Sequence, residues 1–470
     1  MVIESFSFST YIAIPVVLSL LLQGENIKSS VVKNVHQVSI EQETIAPSRQ
    51  LISTNPTGTT YYVSGSGNDN NSGLSSSSAF RTIQKAANLT NPGDTVLIMN
   101  GVYTNANPKG QIVSITRSGT ANAWIKFKAY PGHSPKLRLN GWNAILINNG
   151  ASYIEVNGLE IIGNNPNVTL DYAMSEKNNK LNPLTNGNCI SVDGRKNGHI
   201  HHIRILNNKV HDCGGGIGTF QSDYVTIDNN EVYNNAWYSV YGCSGISMLN
   251  NWNSDRSRGY KMFVRNNKIY NNRQYLPAIN QKTITDGNGI IIDTSRNNQE
   301  NSNLDVYQGR TLIQNNLTFK NGGSGIHVFK SEHVDIVNNT AFLNNQTPEL
   351  NGGQISANTS SDIQVLRNIL SAPSGKNVNS KNQIRNVVYD YNIYVKPSSV
   401  TLKGPHDIVA DAEFISTHPN LKKLVGDSKP ELYKQNRSVP TSTDIQPTGF
   451  VCEPVTYTVK GKVIKIGCSR

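Results

Sequence analysis

Two short stretches concentrate the groups that could move protons: TDGNGIIID (285–293) and SGIHVFKSEH (324–333). The first carries Asp286 and Asp293, the second His327, Phe329 and Lys330. Alternation sends Ile290 and Ile292, and likewise Ile326 and Val328, to one side. Ile291, Asp293, His327 and Phe329 then face the other way. On neighbouring strands about 4.8 Å apart, an acid, an imidazole and an ammonium group would share about 10 Å of surface. His327 or Lys330 is then the candidate base. Asp286 and Asp293 are the candidates for holding Ca²⁺ or handling a substrate carboxylate. Asp193, in CISVD (189–193), takes the same outward position two to three coils earlier and is the weaker candidate; it and Phe329 are candidate substrate-binding residues. Each has a plainer reading: an outward His is ordinary surface, an Asp after a strand a turn former, a Lys a solvated charge.

The elements that must position these groups come from a repeat. HIRILNNKVH (202–211), YVTIDNNEVY (224–233), KMFVRNNKIY (261–270), RTLIQNNLTF (310–319) and HVDIVNNTAF (333–342) align on a shared Asn-Asn. YIEVNGLEII (153–162), DIQVLRNILS (362–371) and VVYDYNIY (387–394) are degenerate copies. The second Asn recurs at 208, 230, 267, 316, 339, 368 and 392, at spacings of 22, 37, 49, 23, 29 and 24. A minimum near 22 with irregular additions predicts parallel β-helix coils carrying loop insertions, with one Asn per coil stacked at a turn. No Leu-x-x-Leu-x-Leu framework appears, and propeller repeats would not shrink this far. The class is all-β: a right-handed parallel β-helix, the hand following from the rule for parallel crossovers. AFRTIQKAANLT has helical spacing and is expected to cap the solenoid before TVLIMNGVY starts it.

Each coil should hold a further strand about ten residues past its ladder Asn: CISVD, GIGTF (216–220), SVYGC (239–243), GIIID (289–293), GIHVF (325–329) and QISAN (354–358). Cys189, Cys213 and Cys243 lie at or near it and are expected as a packed internal stack. Tyr233, Tyr270, Phe319 and Phe342 form a row that is either a sugar platform or, more in keeping with a solenoid, a stabilising ladder. The insertion 167–187 and the loop 273–287 exceed the minimal coil and are expected to wall a groove. Lys261 and Arg265, near a coil turn, read as structural.

Composition agrees with many short strands and polar turns. Hydrophobic residues are 37% and charged residues 16%, with 38 Gly, which excludes a helical bundle and a charge-rich disordered chain. The net charge of +11 favours a polyanionic partner, or merely solubility. No run of five Lys/Arg suggests a nucleic-acid arm. Tyr11–Leu22 is a 12-residue apolar run, too short to span a bilayer and suited to an export signal or anchor over 1–24. A polar linker (25–58), the β-helix (59–395) and a tail (396–470) follow. In the tail, Cys452 and Cys468 flank VTYTVKGKVIKIG, a hairpin turning at Lys460-Gly461-Lys462 whose ends could be bridged in an oxidising compartment. No C-x-x-C suggests zinc.

The opening YYVSGSGNDNNSG…AFRTIQKAANLTNPGDTVLIMNGVYTN and the later PHDIVADAEFIS…STDIQPTGF resemble segments of secreted right-handed β-helix proteins, notably polysaccharide lyase family 9 pectate lyases and relatives. The likeness spans roughly residues 59–450 and implies the fold and secretion. Relatives include lyases, uronate epimerases, glycosidases and adhesins, so it constrains the reaction less. The pectate lyases combine a calcium-binding Asp cluster with a catalytic Lys. This chain has neither a clear Asp-Asp cluster nor the Asp-Pro-His-Asp motif of mannuronan epimerases, so no catalytic residue carries over by motif. The resemblance and the charge together imply a secreted, monomeric enzyme cleaving an acidic polysaccharide by β-elimination, with Ca²⁺ as a possible cofactor. Hydrolysis or C5 epimerisation by paired carboxylates such as Asp193 and Asp293 is the alternative, and a non-catalytic carbohydrate-binding solenoid another. No nucleic acid is expected as a partner, and no membrane beyond the export signal.

Overall fold

The computed structural model describes residues 58–297, 303–395 and 399–410, and the strands Val455–Val459 and Lys462–Ile466. The expected export signal, most of the linker, and Cys452 and Cys468 lie outside the described residues. Between Thr60 and Ala410 the chain winds through three parallel sheets of eleven, nine and eleven strands. Each coil crosses the first sheet, turns through the Asn pair into a short strand of the third, and returns through the second. Successive strands of a sheet come from successive coils, so every ladder is intercoil. The last strand, Ile408–Ala410, pairs with Ile393–Val395 and carries the solenoid past its expected end at 395. Two coils precede the recognisable repeats, with first-sheet strands Thr95–Ile98 and Ile125–Ala129. They use Met99-Asn100-Gly101 and Tyr130-Pro131-Gly132 at the turn, so no Asn ladder betrays them.

The Asn pair has two jobs. Asn207, Asn229, Asn266, Asn315 and Asn338 take left-handed φ between 56° and 58°, which Asn tolerates better than most residues. That turn aims the next side chain inward. Asn230 donates both its backbone N–H (2.9 Å) and its Nδ2 (3.0 Å) to Asn267 Oδ1, and Asn267 repeats this with Asn316 Oδ1. The ladder runs from Asn208 to Asn392 and ends on Asp407. A second ladder, not anticipated, stacks Asn235, Asn272, Asn321 and Asn344 at the turn into the second sheet and ends on Gln354. Its members follow the first ladder by five residues, a signal present in the sequence. Replacing Asn267 by Ala orphans the buried Asn230 donors and is expected to cost about 3 kcal/mol in urea unfolding. A loss below about 0.5 kcal/mol would deny the ladder its role.

Inside, the predicted residues meet. Ile190, Val192, Ile217, Thr219, Ile290, Ile292, Ile326, Val328, Ile355 and Ala357 are all buried. The expected strand SVYGC is corrected: the strand is Ile246–Leu249, whose Ile246 and Met248 fill the inward positions. A longer loop displaces it by several residues. The cysteine stack is also corrected. Cys189 and Cys213 form a disulfide, with Cα atoms 5.7 Å apart, and only Cys243 is a free thiol among the described residues.

The aromatic row is a ladder. His211, Tyr233, Tyr270, Phe319 and Phe342 stack at centroid distances of 4.6, 4.9, 4.7 and 5.3 Å with planes 4–12° apart. Rings stacked on each other offer edges outward, which suits solenoid stabilisation rather than sugar stacking. The N-terminal helix Ile83–Ala87 is capped by Thr82, whose hydroxyl accepts the Lys85 N–H, and buries Ile83, Ala86 and Ala87 over the first coil. In the tail, Val455–Val459 and Lys462–Ile466 pair antiparallel, with Val459 opposite Lys462, so Lys462 belongs to a strand; Lys460 and Gly461 lie outside the described residues.

Candidate active site

Register places the outward groups of the second sheet in two rows. One runs Ser191, Gly218, Ser247, Ile291, His327, Ser356; the other runs Asp193, Phe220, Leu249, Asp293, Phe329, Asn358. Asp293 and Phe329 are therefore neighbours, as are Ile291 and His327, and Lys330 follows at the strand end.

Asp293 is the most perturbed group of the face. Burial, then the charge of Asp286, push its pKa up to about 7, and Lys330 opposes them. Its Oδ1 is buried without a hydrogen-bond partner. Burial also raises Asp286, to about 6, against hydrogen bonds from Thr285 Oγ1 at 2.7 Å and Asn288 Nδ2 at 3.1 Å. The Gln274 side chain fixes the Asp286 loop by accepting the backbone N–H groups of Thr285 and Asp286 at 3.0 and 2.8 Å. His327 is held neutral, its pKa pushed down to about 4 by burial, with Nδ1 2.5 Å from Ser356 Oγ. Lys330, at φ 46°, lays its ammonium 5.1 Å from the Phe329 ring centroid. The Phe329 ring lies 6.0 Å from that of His327.

Five of the six residues expected at the site thus gather on one patch: Asp286, Asp293, His327, Phe329 and Lys330. Asp193 stands apart. Three strand steps separate it from Asp293, roughly 14 Å, beyond the span over which two carboxylates act on one glycosidic bond. It is also engaged: Arg195 donates to its two oxygens at 2.9 and 2.8 Å. Burial opposes this pairing, but the Arg195 hydrogen bonds and charge hold the carboxyl below its ordinary value. Arg195 in turn covers the Phe220 ring at 4.1 Å. The pairing of Asp193 with Asp293 is replaced by Asp286 with Asp293. Arg195 and Gln274 were not legible as site residues, because their positions follow from loop paths rather than strand alternation.

The family model of the Pel9A-like right-handed β-helix region matches residues 61–359. The chain belongs to that family. The right-handed solenoid expected from sequence is the family's fold. Among solved structures, pectate lyase Pel9A is 15% identical, with 76% of this chain and 81% of that one covered and a TM-score of 0.45. XylC in complex with xylose is 11% identical over 75% and 86%, TM-score 0.44. The A-module of the mannuronan C-5 epimerase AlgE6 of Azotobacter vinelandii is 16% identical over 70% and 93%, TM-score 0.37. A search of curated proteins finds no match.

In this family member the residues present do not fit calcium well. Calcium takes six to eight oxygens, mostly from charged groups. The described residues contain no group of three or more His, Cys, Asp or Glu able to hold a metal. Asp286 is satisfied by neutral hydroxyl and amide donors instead.

The raised Asp293 pKa has a consequence for stability. Its proton is favoured in the folded state, so that contribution is full below about pH 4 and is lost as pH rises through about 7. His327 acts oppositely: its contribution is present above its ordinary value and lost on acidification toward about pH 4. Comparing wild type with Asp293→Asn cancels the His327 contribution. The variant should gain relative stability steadily from about pH 4 to about pH 7. A difference that stays flat across that window in urea melts would contradict the assignment.

Proposed function

We propose that this face cleaves a uronate-containing polysaccharide by β-elimination outside the cytoplasm. The observation that carries the reading is a carboxylic acid kept protonated near neutrality beside an ammonium group, on one outward patch with a neutral imidazole. Lys330 holds the substrate carboxylate. His327 takes the C5 proton, and the electron pair left behind forms the C4–C5 double bond. The C4–O bond breaks, and Asp293 protonates the departing oxygen. The net charge of +11 suits an acidic polymer, and the Cys189–Cys213 disulfide suits an oxidising compartment.

A second reading is favoured by one observation: Asp286 and Asp293 are two carboxyl groups on the same patch, and the charge of Asp286 helps hold Asp293 as the acid, the division of roles that glycoside hydrolysis uses. The test is to mix the protein with polygalacturonate, alginate and glucuronan, with calcium and then with chelator. Ultraviolet absorbance of unsaturated uronate and reducing ends are followed together. β-Elimination raises both signals, whereas hydrolysis raises reducing ends alone. Silence in both on every polymer would overturn elimination and hydrolysis alike.

A further inference from the structure

The insertion 167–187 folds into two short helices, Leu170–Ser175 and Pro183–Asn186. Its inner side is seated. Val168 and Ala173 pack with Tyr238, Val240 and Leu276, and Asn186 Oδ1 accepts the Val240 N–H at 3.0 Å. Its outer side is open and apolar: Tyr172 is 41% exposed and Leu181 80%, and Tyr241, beside them, is 50%. Surfaces of this kind mark recognition sites more often than accident.

The two tyrosines are held in a particular way. Tyr241 donates its hydroxyl to the Lys180 carbonyl at 2.9 Å. The Tyr172 hydroxyl accepts from Asn182 Nδ2 at 3.0 Å, and Asn182 is itself tied to Glu176 at 2.8 Å. Both phenol tips are pinned, and among the described residues no ring or cation stacks on either ring face. The third exposed tyrosine among the described residues, Tyr391, stacks on His406 at 4.4 Å. Pinned rings with bare faces are poor packing and good platforms for the C–H face of a sugar.

Position and charge name the occupant. Tyr241 precedes Gly242, where an added Cβ would lie 2.9 Å from Asp286 Oδ2, so the platform adjoins the carboxylate patch. Arg195 is near enough to act electrostatically on the Tyr241 hydroxyl, and Lys177 and Lys180 are exposed on the insertion. Asp171 and Glu176 balance these two lysines within the insertion, so the charge that favours an acidic chain is that of Arg195 beside the platform and the net +11 of the molecule. We propose that Tyr172 and Tyr241, with Lys180 at the Tyr241 hydroxyl, form distal subsites that hold an acidic polysaccharide chain beyond the cleavage point. This inference rests on the function proposed above.

Its test uses full-length Asp293→Asn protein, so that binding is read without turnover. Affinity for polygalacturonate, alginate and glucuronan is measured by affinity electrophoresis and calorimetry. Tyr241→Ala and Tyr172→Ala are each expected to weaken binding of the preferred polymer about 3–10-fold. Tyr241→Phe, which keeps the ring and loses the hydroxyl bond, should stay within about twofold, and the loss should fade as the ligand is shortened. If no polymer binds to Asp293→Asn protein, the functional reading itself falls. Polymer bound equally by the double alanine variant overturns the subsites alone. So does sedimentation showing self-association that the alanine variants abolish, which makes the patch a contact between copies.

Discussion

With Asn in place of Asp293, turnover on a uronate polymer falls by about 10²–10⁴-fold while the fold stands. The substitution keeps shape and removes the proton that a leaving oxygen needs. Because burial already holds the native acid about half neutral near pH 7, Asn is no harder to bury than the residue it replaces. Two further readouts separate proton donation from a merely structural role. The alkaline limb of the turnover profile, set near pH 7 by Asp293, disappears in the variant. The deficit also shrinks on substrates whose leaving group needs no proton. Turnover within twofold of wild type would remove Asp293 from the chemistry. A large loss accompanied by unfolding would reassign it to the scaffold.

The second large effect lies away from this patch. Lys261 and Asp223 are both fully buried, with Nζ 2.8 Å from Oδ2. The Lys261 ammonium also reaches Asp255 at 2.7 Å, between the rings of Tyr224 and Tyr307. Asp223 accepts the Tyr307 hydroxyl at 2.6 Å and both the N–H and hydroxyl of Ser254, at 2.8 and 2.7 Å. One carboxylate therefore ties the loop that follows Leu249 to the one that precedes Arg310. Asp223→Ala leaves a buried ammonium with half its compensation and is expected to cost about 3–5 kcal/mol. Adding Lys261→Met removes the stranded charge, and the double variant should recover part of the loss. Denaturant melts of both variants check this. A single-variant cost near zero, or a double variant worse than the sum of the singles, would sink the account. The structural role expected for Lys261 thus has its physical content, and Arg265 has a similar one, paired with Asp228 at 2.9 Å.

Much of the solenoid is written in local patterns. The Asn pair signals its own turn because its first member accepts left-handed φ and its second completes a ladder with the coils on either side. In the degenerate copies Arg367 and Tyr391 occupy the left-handed position, yet Asn368 and Asn392 keep the ladder. Alternation placed the inward residues of the second sheet correctly wherever the strand was located. It failed at SVYGC, because the loop ahead of Ile246 is longer and nothing in its composition marks where the strand resumes. The Cys189–Cys213 bridge was missed for a related reason. Cys213 lies outside the strand, so alternation could not say that its side chain meets that of Cys189.

Sequence alone was enough for the parallel β-helix, its repeating coil and five members of the patch, since period-2 alternation and one Asn per coil are properties of adjacent residues. It could not rank those members. Strand order fixed the Asp193–Asp293 separation, expected at two to three coils, at three. Burial raised Asp286 and Asp293 and lowered His327, and loops far apart in the chain delivered Arg195 and Tyr241 to the same face. Desolvation and through-space charge depend on what surrounds a group in three dimensions. They come into being when the coils stack.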